Sequence, residues 1–148
     1  MVRPRIALER RGGCHCGLTR FAFMTAFPLA PRACQCGFCR RHGARTVSDP
    51  EGYAVLTLGP ETIRYRFGTG TTDFLICGRC GVYVGAAAEI GGALFATLNL
   101  NAFDHPRLDL AAAPVRYDGE DAGARAARRR ARWTPARVAG TSPSRRRP

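Results

Sequence analysis

All seven cysteines of this 148-residue chain fall in three tight groups, and no cysteine lies outside them. Cys14-His15-Cys16 is a CxC pair set between glycines. Cys34-Gln35-Cys36-Gly37-Phe38-Cys39 is a CxCxxC run. Cys77-Gly78-Arg79-Cys80-Gly81 is a CxxC turn. Packing alone does not produce such clustering. Disulfides fit poorly, because the count is odd and a CxC bridge closes a strained ring. A redox dithiol at Cys77 and Cys80 fits poorly too, because that motif usually opens a helix and here β-prone residues and glycine flank it. Thiolate binding of zinc fits best, since short CxC and CxxC turns bring two sulfurs onto one ion.

Zinc takes four protein ligands in a structural site, and three plus a water or substrate in a catalytic one. Seven thiolates therefore divide into four plus three. The pairs Cys14/Cys16 and Cys77/Cys80 can close a four-cysteine site that ties the chain's start to its middle. Cys34, Cys36 and Cys39 then form a three-thiolate site with an open position. Spacing alone leaves the alternative in which the other CxC pair joins Cys77 and Cys80. His15, His42 and His105 are candidates for a fourth ligand to the trio, His42 foremost because it lies three residues after Cys39.

The rest of the chain bounds the fold. Its length fits one domain with a modest core. No apolar run approaches the roughly 20 residues that cross a bilayer. The charged stretch 1–11 lacks the apolar core of a signal peptide, so a cytoplasmic location is expected. The net charge is +12, but nine arginines and no acids lie in 122–148; the other 14 basic residues face 11 acidic ones, a balance of only +3. Strands are expected at 18–23, 53–58, 62–67, 73–76, 82–84 and 94–100, with Gly59-Pro60 and Gly68-Thr69-Gly70 as turns. Residues 118–133 read as a helix, acidic at its start and basic at its end, stopped by Pro135. Many short strands with turn signals make a mainly β domain. The expected organisation is an N-terminal extension at 1–10, a zinc domain at 11–121, a C-terminal helix at 122–137 and a disordered basic tail at 138–148.

At three places the sequence resembles the glutathione-dependent formaldehyde-activating enzyme family, which shares its domain with centromere protein V. These are Gly13-Cys14-His15-Cys16-Gly17, Cys34-Gln35-Cys36-Gly37-Phe38-Cys39-Arg40-Arg41, and Tyr65-Arg66-Phe67-Gly68-Thr69-Gly70 leading into Cys77-Gly78-Arg79-Cys80-Gly81. The segment Val115-Arg116-Tyr117-Asp118-Gly119-Glu120 resembles the family's C-terminal end. The resemblance implies a β-tent fold of stacked, coiled antiparallel sheets. It implies two zinc ions per chain: a structural one at Cys14, Cys16, Cys77 and Cys80, and a catalytic one at Cys34, Cys36 and Cys39. The implied activity is that of a carbon–sulfur lyase acting on a small thiol adduct, in the founding case joining glutathione and formaldehyde to S-(hydroxymethyl)glutathione. Gln35 and Gly37 depart from the family's usual second motif, and both flank the reactive cysteines.

Three thiolates leave an occupied zinc site with a net charge of minus one. That weakens it as a Lewis acid and favours delivery of a substrate thiolate over polarisation of an aldehyde. Arg40 and Arg41, beside Cys39, are candidates for holding a substrate carboxylate. The competing class is a non-catalytic zinc module that binds protein or nucleic acid through the arginine-rich C-terminus. On the enzyme reading, removal of 122–148 leaves activity in place.

Overall fold

A computed structural model describes residues 7–26 and 28–140 of the chain. The elements run β1 (Leu8–Gly13), β2 (Arg20–Thr25), β3 (Arg32–Cys34), α1 (Gly37–His42), β4 (Thr46–Val47), β5 (Tyr53–Thr57), β6 (Thr62–Tyr65), β7 (Asp73–Cys77), β8 (Tyr83–Ile90), β9 (Ala93–Asn99), β10 (Ala113–Val115), α2 (Ala122–Arg132) and β11 (Thr134–Ala139), with a short 3-10 turn after β9. The fold is mainly β, with one short C-terminal helix. No helix among the described residues is long and apolar enough to cross a membrane.

Period-two patterning sets the core face. In β2, Phe21, Phe23 and Thr25 turn inward; in β5, Ala54 and Leu56 do the same. Phe23 is completely buried, and with Phe21 it packs on Phe103. Strand β8 is different, because its first six residues are all buried. Ala87 faces the main core, while Ala86 and Ala88 lie under Trp133 on the opposite face. Small side chains here let Trp133 sit close to the strand.

The strands form an open, branched sheet in the order β1-β2-β5-β11-β9-β4-β3-β10, with β8, β7 and β6 added beyond β9. Strand β9 is the junction. It pairs β8 along one edge, and β11 and then β4 along the other. Most pairings are antiparallel, but β10 runs parallel to β3 and β11 parallel to β5. The sheet is therefore mixed, whereas the resemblance implies antiparallel sheets.

The two ends of the chain depart most from expectation. Strand β1 begins at Leu8, inside the expected N-terminal extension, and its whole length pairs with β2. Helix α2 ends at Arg132 rather than 137, and β11 occupies Thr134–Ala139. The reason lies in the slot between β5 and β9, which would otherwise leave two facing edges without hydrogen-bond partners. Strand β11 fills it, and Val138 and Ala139 belong to the sheet rather than to a tail. The rest of the expected disordered tail, residues 141–148, lies outside the described residues, as does 1–6 of the expected extension.

Candidate metal centre and adjoining cavity

The first cysteine group is built from two turns. Cys14 and Cys16 follow β1, where Gly17 adopts a left-handed φ of 86° and donates its N–H to the Cys14 carbonyl at 3.3 Å. Cys77 ends β7, and Gly81, at φ 81°, donates to the Cys77 carbonyl at 2.8 Å. Only glycine adopts such a conformation without strain. The register of β6 against β7 and the return from β1 to β2 bring the turns together. The four sulfurs lie within 4.8 Å of one another, with Cys14–Cys16 at 3.7 Å and Cys16–Cys77 at 3.5 Å. Cys14 Sγ also accepts a hydrogen bond from the Thr19 N–H at 3.3 Å.

These distances test the fit of zinc. Zinc–sulfur bonds of about 2.3 Å at tetrahedral angles place sulfurs about 3.8 Å apart. The observed spacings match that edge, and all seven cysteines are free thiols. The four-sulfur donor set is compatible with a thiolate-bound ion such as zinc.

The second group comes from a strand-to-helix junction. Cys34 is the last residue of β3 and sits opposite Val115 of β10; the Gln35 N–H donates to the Val115 carbonyl at 2.9 Å. Cys36 is the N-cap of α1, its Sγ accepting the Cys39 N–H at 3.3 Å. Cys39 then lies on the buried face of the helix, which Gly43 ends in a left-handed cap. The three sulfurs lie within 4.8 Å of one another. Cys34, accepting a hydrogen bond from Cys39, is pulled down to about 6. Cys39 is pushed up by the same contact and by burial. Three adjacent sulfurs cannot all ionise without a cation among them, so this set also suits a metal ion.

Among the described residues no histidine or carboxylate completes the trio. His15, His42 and His105 are exposed. His42 instead packs against Phe38 in a tilted arrangement, with ring centroids 4.5 Å apart. Arg40 and Arg41 are exposed on α1, and Arg41 donates to the Gly37 carbonyl at 3.0 Å. Neither lines the space beside the cysteines.

That space is a cavity of about 160 Å³ onto which Cys34, Cys36 and Cys39 all open. Phe67, Phe74, Tyr83 and Trp133 supply apolar walls. The Gly68-Thr69-Gly70 turn closes with a hydrogen bond from the Gly70 N–H to the Phe67 carbonyl at 3.1 Å, and Thr69 faces the cavity. Its lining is also basic: Arg32 from β3, two residues before Cys34, and Arg125, Arg128 and Arg129 from α2 form an arginine wall. Arg128 makes a paired contact with Glu120 at 3.0 and 2.9 Å and lies 3.5 Å over the Tyr117 ring. Arg129 is only 6% exposed and donates to Thr71 Oγ1 at 3.0 Å. Burial, together with neighbouring Arg128 and Arg125, pulls Arg129 down to about 10, so it remains charged at neutral pH.

Sequence reasoning missed this wall because it weighed the C-terminal arginines only as a basic segment for binding protein or nucleic acid. The available signal was their spacing: positions 125, 128, 129 and 132 share one helical face. Because α2 lines the cavity and β11 belongs to the sheet, removal of 122–148 takes away part of the cavity lining and a strand together, so it does not by itself separate the two functional classes. With Arg125, Arg128 and Arg129 turned onto the cavity, the argument for nucleic-acid binding through this segment loses those charges.

The profile of the family described as "Glutathione-dependent formaldehyde-activating enzyme" matches residues 9–115 and so includes all seven cysteines. Among solved structures, a Rhodobacter sphaeroides protein from a structural-genomics effort aligns with a TM-score of 0.53 and 26% identity, covering 72% of this chain and 99% of the other. With the family profile spanning most of the sequence and both cysteine groups assembled in space, the chain belongs to the glutathione-dependent formaldehyde-activating enzyme family.

Proposed function

We propose that this chain is a zinc-dependent enzyme of the carbon–sulfur lyase type, acting on a small thiol adduct, with glutathione as the thiol and S-(hydroxymethyl)glutathione as the adduct. On this reading the fold is a β-tent and the protein is cytoplasmic. Cys14, Cys16, Cys77 and Cys80 hold a structural ion; Cys34, Cys36 and Cys39 hold a catalytic one. The observation that carries the proposal is the asymmetry between the groups. One is a closed set of four sulfurs, while the other is a set of three facing a cavity.

In the synthetic direction a carbon–sulfur bond forms between the thiol sulfur and the formaldehyde carbon, the carbonyl π bond breaks, and the thiol proton ends on the new hydroxyl oxygen. Cys34, Cys36 and Cys39 would hold a zinc ion, which when bound would supply positive charge that lowers the pKa of a substrate thiol. The chain's own residues set the stage for that step. The Cys36 cap fixes two of the three sulfurs relative to α1. Phe67, Phe74 and Trp133 supply apolar surface to the cavity that the sulfurs line. The hydrogen bond from Cys39 does most to favour the Cys34 thiolate, and the charge of Arg128 adds to it.

Exchange of formaldehyde and glutathione with their adduct can be followed by NMR magnetisation transfer. Wild-type protein should accelerate the exchange well above the buffer rate. Cys34→Ser, folded by circular dichroism, should return it to that rate. A folded Cys34→Ser protein with wild-type exchange would defeat the assignment of the trio.

A further inference from the structure

We propose that the arginine wall is a carboxylate site, so that the cavity selects small thiols carrying a carboxylate over neutral thiols. The proposal rests on the reading of the trio as the place where a thiol binds, and it assigns the part of the ligand that the cysteines do not hold. Its basis is an excess of buried donors. The Nε atoms of Arg32, Arg125 and Arg129 are all buried with no hydrogen-bond partner, and so is the Thr72 hydroxyl. All four residues line the same cavity. A buried, unpaired polar group is costly, more so when charged, and four of them belong to residues around one cavity.

The charge balance points the same way. Arg128 is matched by Glu120, and Glu120 lies 3.9 Å from Arg125. Arg32 has only hydroxyl partners, Ser48 Oγ at 2.6 Å and Thr97 Oγ1 at 3.4 Å. Arg129 has the Thr71 hydroxyl and the Trp133 ring, 4.9 Å away. Asp118 also borders the cavity, but its carboxylate makes no ion pair with either arginine among the described contacts. Arg32, partly buried, and Arg129, buried, thus make no direct ion pair with a carboxylate among the described residues; Cys34 acts on both, and Glu120 on Arg129, only without contact. Planar forks of N–H donors in an apolar enclosure suit a carboxylate, which accepts at two oxygens. The trio lines the same cavity, so one compact molecule with a sulfur and a carboxylate reaches both.

The test is calorimetric binding to the zinc-loaded protein of 3-mercaptopropionate, of neutral 2-mercaptoethanol, and of propionate, which has no thiol. The wild type should prefer 3-mercaptopropionate over 2-mercaptoethanol by about tenfold or more, the scale of one charge-assisted contact. Propionate should compete with the mercapto acid. Arg129→Gln should reduce the preference to within about twofold and abolish propionate competition, with 2-mercaptoethanol binding kept. Arg125→Gln serves if the Arg129 variant does not fold. Arg40→Gln, on the exposed face of α1, should behave as wild type. Equal affinity for the two thiols in the wild type, or an unchanged preference in both cavity variants, overturns the proposal. Accelerated adduct exchange with no carboxylate preference would refute this inference alone. Carboxylate preference without catalysis would refute the enzymatic reading alone.

Discussion

Ending the chain after Trp133 should unfold the domain, and the size of the effect follows from where β11 sits. The strand makes four register pairs with β5 and three with β9. At about one hydrogen bond per pair and about 1 kcal/mol net each, the loss is on the order of 7 kcal/mol. Two further contacts go with it. Thr134 is fully buried, and its hydroxyl accepts the Asp49 N–H at 2.8 Å. The truncation also opens the facing edges of β5 and β9 to water. A domain of this size is stable by about 5–15 kcal/mol in all, so little or no margin remains. Urea unfolding monitored by circular dichroism measures the loss, and Trp133, the single tryptophan, reports on the same region by fluorescence. The truncated chain should show no cooperative transition and a red-shifted emission. A chain ending after Gly140 should unfold like the full-length protein. If the chain ending at Trp133 unfolds cooperatively within about 1 kcal/mol of full length, β11 does not support the sheet as described.

Two substitutions probe other parts of the fold. Cys77→Ala should abolish the folded state, because structural zinc contributes about 10 kcal/mol or more to small metal-dependent folds; loss of near-ultraviolet dichroism in the zinc-replete protein would show it. Gly12→Ala should destabilise by about 1–3 kcal/mol or more, because a Cβ there would lie 2.4 Å from the Ala102 carbonyl oxygen and 2.7 Å from the Phe103 Cα, and backbone cannot move aside cheaply. Thermal unfolding measures that change.

What the sequence made legible was local. The cysteine groups stood out by spacing. The strands at β2, β5, β6, β7 and β9 showed alternation or β-branched and aromatic content, so their positions agree with expectation to within a few residues. The hidden elements have physical reasons for hiding. Strand β1 reads Leu-Glu-Arg-Arg-Gly-Gly, an edge strand whose charges suit solvent rather than a core. Strands β3, β4 and β10 are two or three residues long and exist only through their partners. Strand β11 contains Pro135, normally a sign against an interior strand. It is tolerated because pairing with β5 begins only at Ala136, one residue later. The basic face of α2 was the costliest omission. A run of arginines on a helix ordinarily faces water; here Trp133, which follows the helix, packs against Ala86 and Ala88, and Arg125, Arg128 and Arg129 line the cavity.

The division into a four-sulfur and a three-sulfur site is tested most directly by counting metal. Inductively coupled plasma mass spectrometry on protein purified with zinc should give two ions per wild-type chain, and one per chain for folded Cys34→Ser. A wild-type content of one ion or none, or two ions retained in folded Cys34→Ser, would contradict the assignment of Cys34, Cys36 and Cys39 as a metal site in its own right.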